Sequence, residues 1–216
     1  MCSTFDITLK HPRRMLIYGP SGSGKSTFVE KLLYFMKEMF DFYFDKIIYC
    51  SEQWFPQYDS IHGIEIEKVI HMGREIIENL NPQDKNLIIL DDNMHKFCED
   101  PIISDIFTKY SHHKNIFVII LFQTNFPNEK FKMDITSNST YVVLMSNPLN
   151  ERQMSTLCLQ RGGAFIMECY RDATRNKPYS YLFLDCDQET PEEVRVRTNI
   201  FPNEDPISFV KLSKVQ

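Results

Sequence analysis

Gly19-Pro20-Ser21-Gly22-Ser23-Gly24-Lys25-Ser26-Thr27 fits G-x-x-x-x-G-K-[ST], the spacing of a phosphate-binding loop. The apolar run Met15-Leu16-Ile17-Tyr18 precedes it and reads as a buried strand. Phe28, Leu32, Met36 and Met39 follow at helical spacing, with Val29 and Leu33 beside them. Strand, loop and helix are the context in which such a match carries meaning. The glycines let backbone N–H groups turn inward around phosphate oxygens, and the helix N-terminus adds partial positive charge. On this reading Gly19, Pro20, Ser21, Gly22, Ser23, Gly24, Lys25, Ser26 and Thr27 bind the nucleotide. Lys25 reaches the β- and γ-phosphates, and the Ser26 hydroxyl ligates Mg²⁺. A Gly/Ser-rich turn would fit the same letters, and the flanks argue against it.

The chain has 7 Gly, and three of them lie in this loop, so glycine here serves the loop and not general flexibility. Its 216 residues suit one domain, 1–216, with a full core and a loose tail from about Pro202. A net charge of −5 does not advertise a nucleic-acid binder, although a local basic stripe can serve on an acidic protein. The 6 cysteines form no C-x-x-C pair and read as reduced thiols rather than a disulfide framework. His95 with Cys98, or His112 with His113, would make at best a weak zinc site. The longest apolar run, Ile116 to Phe122, is far too short to span a membrane, so no membrane partner is expected.

Apolar runs recur at Lys46–Cys50, Leu87–Leu90, Ile116–Phe122 and Tyr141–Met145, separated by helical patterns or loops. This alternation predicts an α/β fold with a mainly parallel sheet flanked by helices. Ile64–Ile66 suggests a further short strand, and Arg74–Leu80 a helix. Tyr181–Leu184 and Ala164–Met167 suggest two later strands forming an antiparallel extension. Asp100–His113 reads as a helix entered through Pro101, and Asn147-Pro148 as the start of one stopped by Gly162-Gly163.

Asn86-Leu87-Ile88-Ile89-Leu90-Asp91-Asp92 ends an apolar strand in two acids. In a parallel sheet, ligands bind beyond the C-terminal strand ends, so both acids are expected on the edge that carries the phosphate loop. Asp91 would hold Mg²⁺, and Asp92 would orient or deprotonate the attacking water. Capping of a following helix is the structural alternative. The strand Lys46–Cys50 separates the two motifs, which suits the additional-strand group of P-loop ATPases. Gln123, at the tip of Ile116–Phe122, could sense the γ-phosphate or simply end a strand. Arg152 sits near a helix start, where a cation works mildly against the dipole. It could reach a neighbouring subunit's γ-phosphate or pair with Glu151. His112-His113-Lys114 and Arg171, Arg175 and Lys177 are small basic clusters expected in loops, suited to phosphates or only to solvent.

These motifs, together with Phe107–Asn115, Gln123-Thr124-Asn125, Tyr141–Pro148, Asp172-Ala173-Thr174, Pro178–Leu182 and Thr190–Ile200, resemble one family. It is the FtsK/HerA-type DNA-packaging ATPases of double-jelly-roll DNA viruses, and most similar are those of Polinton/Maverick elements and adintoviruses. The resemblance implies a RecA/FtsK-like domain that hydrolyses ATP with Mg²⁺ through its Walker A and Walker B motifs. It implies a homo-oligomeric ring, hexamer or pentamer, that pumps double-stranded DNA without sequence specificity into a preformed capsid at a vertex. The setting would be intracellular, in the nucleus or viral factory of a host cell, or on the virion. It strengthens Gln123 as sensor and Arg152 as an arginine acting across subunits. Asp91-Asp92 stands where FtsK-like motors usually have Asp-Glu. A P-loop kinase with Arg161–Arg175 as lid, and an ATP-dependent assembly scaffold, are the competing readings.

Overall fold

A computed structural model describes residues 5–52, 59–91, 101–123, 132–148, 150–175 and 178–211. The strands are β1 (Arg14–Tyr18), β2 (Lys46–Cys50), β3 (Ser60–Ile61), β4 (Ile64–Val69), β5 (Asn86–Leu90) and β6 (Ile116–Phe122). They continue with β7 (Tyr141–Met145), β8 (Tyr181–Asp185), β9 (Val196–Thr198) and β10 (Ile207–Ser208). The helices are α1 (Lys25–Tyr34), α2 (Met36–Phe40), α3 (Arg74–Glu78), α4 (Pro101–Asp105), α5 (Ser111–His113), α6 (Lys132–Ser137), α7 (Glu151–Gly162) and α8 (Ala164–Thr174).

All strands join one sheet in the order β10-β9-β8-β7-β1-β6-β5-β2-β4-β3. From β4 to β7 every neighbouring pair is parallel. The sequence reading of the central strands therefore holds, including the parallel α/β class. The carboxylate strand β5 is not adjacent to the loop strand β1: β6 lies between them, with Tyr18 opposite Phe122 and Leu90 opposite Ile120.

The central strands are apolar throughout because helices cover both faces. In β1 the pleat sends Leu16 and Tyr18 into one core, and Met15 and Ile17 into the other. Phe28, Val29, Leu32 and Leu33 of α1 and Met36, Met39 and Phe40 of α2 fill the second. Ile102 and Ile103 of α4, Met154, Leu157 and Cys158 of α7, and Ile166, Met167, Cys169 and Tyr170 of α8 fill the first.

Four expectations differ from the structure. Ala164–Met167 is not a strand but the start of α8. Short apolar runs do not distinguish a strand from a buried helix, and burial of Ile166, Met167, Cys169 and Tyr170 selects the helix. Gly163, at φ +71°, turns the chain between α7 and α8. The single helix expected after the loop is divided at Phe35 into α1 and α2. The helix entered at Pro101 widens into a π turn at Ile106–Tyr110 before α5. Arg14 reaches this turn from β1 and donates to the Phe107 carbonyl at 2.7 Å. Within the tail expected to be loose, Ile207–Ser208 extend the sheet antiparallel to β9.

His11 is wrapped by aromatic rings, with Phe42 at 5.4 Å, Phe44 at 5.5 Å and Phe117 at 6.4 Å between centroids. Burial disfavours the imidazolium and pushes His11 down to about 4 from 6.5. The unfolded chain therefore binds more protons between those values, and stability falls as pH falls through that window. Denaturant titrations at about pH 7 and about pH 5 should differ by on the order of 2 kcal/mol from this residue. His11→Gln should flatten that share of the pH dependence; an unchanged slope would show that His11 titrates normally in the folded state.

Candidate nucleotide-binding site

The loop Gly19–Gly24 runs from the C-terminal end of β1 into α1. Its first N–H, from Gly19, donates to the Phe122 carbonyl at 3.0 Å, which ties the loop to the end of β6. Gly22 and Gly24 take φ +75° and +96°, a region that side chains disfavour. Gly19 is required for a different reason. A Cβ there would meet Ser23 Oγ at 2.4 Å and Met145 Cβ at 2.6 Å.

Gly24 is the N-cap of α1 and provides no side-chain cap, and the first turn carries no acidic residue. The opening N–H groups and the positive end of the helix dipole thus face an anion's position without a carboxylate in competition. Lys25 is buried, and its ammonium donates to the carbonyls of Gly19 at 2.9 Å and Pro20 at 3.0 Å. The loop therefore folds around its own lysine. Ser26 and Thr27 are exposed at the first turn.

Asp91 follows β5 on the same sheet edge and is only 5% exposed. Tyr49, near the end of β2, donates its hydroxyl to Asp91 Oδ2 at 2.6 Å, and the Asp91 N–H donates to Cys50 O at 2.9 Å. A charge-assisted hydrogen bond of this length holds the carboxylate in one orientation. Sequence reasoning missed Tyr49. Its signal was a hydroxyl-bearing aromatic near the end of the strand paired with β5, recognisable only once that pairing is known.

Gln123 directly follows β6, at the tip where it was expected, and β6 lies between the strands that carry the loop and Asp91; Gln123 is exposed. Arg152 lies in the first turn of α7, which starts on the same edge after β7, and is exposed. Its neighbour Glu151 pairs with Arg171 at 2.9 Å, not with Arg152. Arg171 belongs to α8 and not to a loop. Asp92, His95, Cys98 and Lys177 lie outside the described residues. Lys114 is a structural tie, donating to the carbonyls of Glu78 at 2.8 Å and Leu80 at 3.1 Å. Arg161–Arg175 does not form a lid: it spans parts of α7 and α8, with Ile166, Met167, Cys169 and Tyr170 anchored in the core.

No group of three or more His, Cys, Asp or Glu among the described residues could hold a metal ion. Mg²⁺ takes few protein oxygens and completes its shell with water and substrate phosphates. The Ser26 hydroxyl and the Asp91 carboxylate supply hard oxygen donors of that kind.

A mainly parallel α/β sheet with this loop at its C-terminal edge, and one strand, β6, lying between the loop strand and the carboxylate strand, matches in fold the structures of P-loop NTPases that package genomes. The structure is similar to the crystal structure of B204, the DNA-packaging ATPase of Sulfolobus turreted icosahedral virus, with a TM-score of 0.57 and 13% identity. That likeness covers 90% of this chain and 98% of B204. It is also similar to the genome-packaging NTPase B204 of Sulfolobus turreted icosahedral virus 2 in complex with AMPPCP, with a TM-score of 0.53, 13% identity and the same coverage. The complex of that NTPase with ATP-γS gives a TM-score of 0.52 at 12% identity, over 86% of this chain and 95% of that one. No protein-family model and no curated protein matches the chain.

Gly19→Ala should destabilise the fold by about 1–3 kcal/mol, because Met145 Cβ belongs to a packed core strand and cannot retreat freely. Gly22→Ala meets open space and should cost only the left-handed backbone, about 1 kcal/mol. Thermal denaturation of the two variants should show that order, and the reverse order would contradict the loop geometry.

Proposed function

We propose that this chain is an Mg²⁺-dependent ATPase that moves double-stranded viral DNA into a preformed capsid. The observation that carries the reading is the convergence of the Gly19–Thr27 loop, Asp91 and Gln123 on one edge of a sheet in which β6 separates β1 from β5. The likeness to the B204 packaging NTPases over nine-tenths of the chain supports it.

In this reading the loop N–H groups and Lys25 bind the phosphates. Lys25 exchanges the carbonyls of Gly19 and Pro20 for phosphate oxygens, so the folded loop already has the ammonium in place. Mg²⁺, held by Ser26 and Asp91, would supply charge neutralisation at the β- and γ-phosphates. Tyr49 keeps Asp91 oriented for that ion. Gln123 positions a water or reports the γ-phosphate, and Asp92 is the proposed base. Arg152 is exposed where a neighbouring subunit of a hexameric or pentameric ring could receive it, and would stabilise transition-state charge from outside the protomer. Duplex DNA is bound through its phosphates without base readout. Host nucleus, viral factory or virion remain the proposed settings, with a capsid vertex as partner.

The loss of Arg161–Arg175 as a mobile lid leaves the kinase reading without the element it needs. The scaffold reading is separated by turnover: a scaffold binds ATP without hydrolysing it.

ATP hydrolysis should be stimulated by duplex DNA and should fall on dilution as the oligomer dissociates, measured across a gel-filtration profile. Lys25→Ala should abolish nucleotide binding, Arg152→Ala should lower turnover by on the order of 10³-fold while nucleotide still binds, and EDTA should stop hydrolysis. Activity that is independent of both DNA and protein concentration would refute the motor.

A further inference from the structure

Beyond the phosphate loop, on the side of β1 away from Asp91, a groove is lined by Gly24, Thr27, Lys31, Met145 and Tyr179. Tyr179 precedes β8, which pairs antiparallel with β7 and so begins on the loop's edge of the sheet. The Ser180 carbonyl accepts the Ser146 N–H at 2.8 Å and fixes this approach.

Tyr179 has three properties that ordinary packing does not require together. It is 64% exposed, a large aromatic left facing solvent. Its backbone takes φ +59°, which is costly for a bulky side chain. Its side chain nevertheless lies against the loop, with Cδ1 and Cβ 3.0 and 3.1 Å from where a Cβ at Gly24 would stand, so any side chain at Gly24 would crowd it.

The groove's cation is already committed. Lys31 Nζ pairs with Glu204 Oε1 at 2.7 Å, and Tyr181 donates to Glu204 Oε2 at 2.8 Å. Among the described residues that line it, the groove therefore offers aromatic surface and a cation already paired. A phosphate chain seated on the loop would leave its organic end toward Thr27 and this surface.

We propose that Tyr179 is the stacking platform for the nucleotide base. The inference rests on the nucleotide-binding reading and adds the residue that separates a nucleotide from a bare polyphosphate. Every base has a flat π face, so the platform confers binding of nucleotides in general more than choice among bases.

The test compares ATP with inorganic tripolyphosphate, each with Mg²⁺, by calorimetry on the full chain. Tyr179→Asn suits it because asparagine tolerates the left-handed backbone and should keep the fold, as checked by thermal denaturation. ATP affinity should fall by roughly tenfold or more, the measure of a lost base–aromatic stack, while tripolyphosphate affinity stays within about twofold. Tyr179→Phe should restore ATP binding, because the ring and not the hydroxyl stacks. Equal losses for both ligands would overturn the proposal and make the ring a prop for Gly24. No loss for either would overturn it too. If the unsubstituted chain binds tripolyphosphate and ATP with the same affinity, base stacking fails while the phosphate loop stands; if it binds neither, the nucleotide reading itself fails.

Discussion

The pairing of β1 with β6 is the constraint on which the rest of the site depends. Because β6 is parallel to both β1 and β5, the C-terminal ends of all three strands meet on one edge. The Gly19 N–H to Phe122 O bond continues that pairing into the loop. A one-residue slip of β6 would exchange its two faces and drive its side chains into the wrong cores. Ile116, Val118, Ile120 and Phe122 join one core, and Phe117, Ile119 and Leu121 the other. Apolar packing on both faces thus sets a register whose consequence is polar: it fixes the position of Gln123 beside the loop.

A second layer of support fixes the polar groups themselves. Tyr49 orients Asp91, and the loop carbonyls orient Lys25. Met145, directly across from Gly19, limits how far the loop can open toward β7. These supports come from β2, the loop itself and β7, so one edge of the sheet collects contributions from several distant stretches of chain.

The fold was legible where the sequence carried length and period. Ile116–Phe122 and Tyr141–Met145 are apolar runs bounded by polar residues, and both are strands at the expected limits. Legibility failed where a local pattern was ambiguous or a partner was remote. Ala164–Met167 has the letters of a strand, and only its burial against the sheet selects the helix. Arg171 was read as a loop charge, but its guanidinium closes on Glu151 across the α7–α8 pair. That the loop and Asp91 would share one edge of the sheet could be read from spacing alone. Tyr49 and Tyr179 could not be read as parts of it: one acts through pairing of β2 with β5, and the other through close approach to Gly24.

In the proposed motor, the positions of the basic residues bear on how ATP use and DNA contact would be coupled. His112 and His113 precede β6, at the opposite end from Gln123. Burial, reinforced by the nearby Arg14 charge, lowers the pKa of His112, so it is a weak source of positive charge near neutral pH. Lys114 is spent on backbone carbonyls. β6 has seven residues, so this end lies roughly 20 Å from the loop's edge at about 3.3 Å per residue. Exposed Arg175, just after α8, lies instead toward the edge where β8 begins. A phosphate contact there would lie on the same edge of the sheet as the loop. A contact at His112 and His113 would have to act through β6, a strand buried along its whole length with close-packed faces. Such a strand shifts as a unit or not at all. The short route through the end of α8 therefore demands less of the fold than the long one through β6.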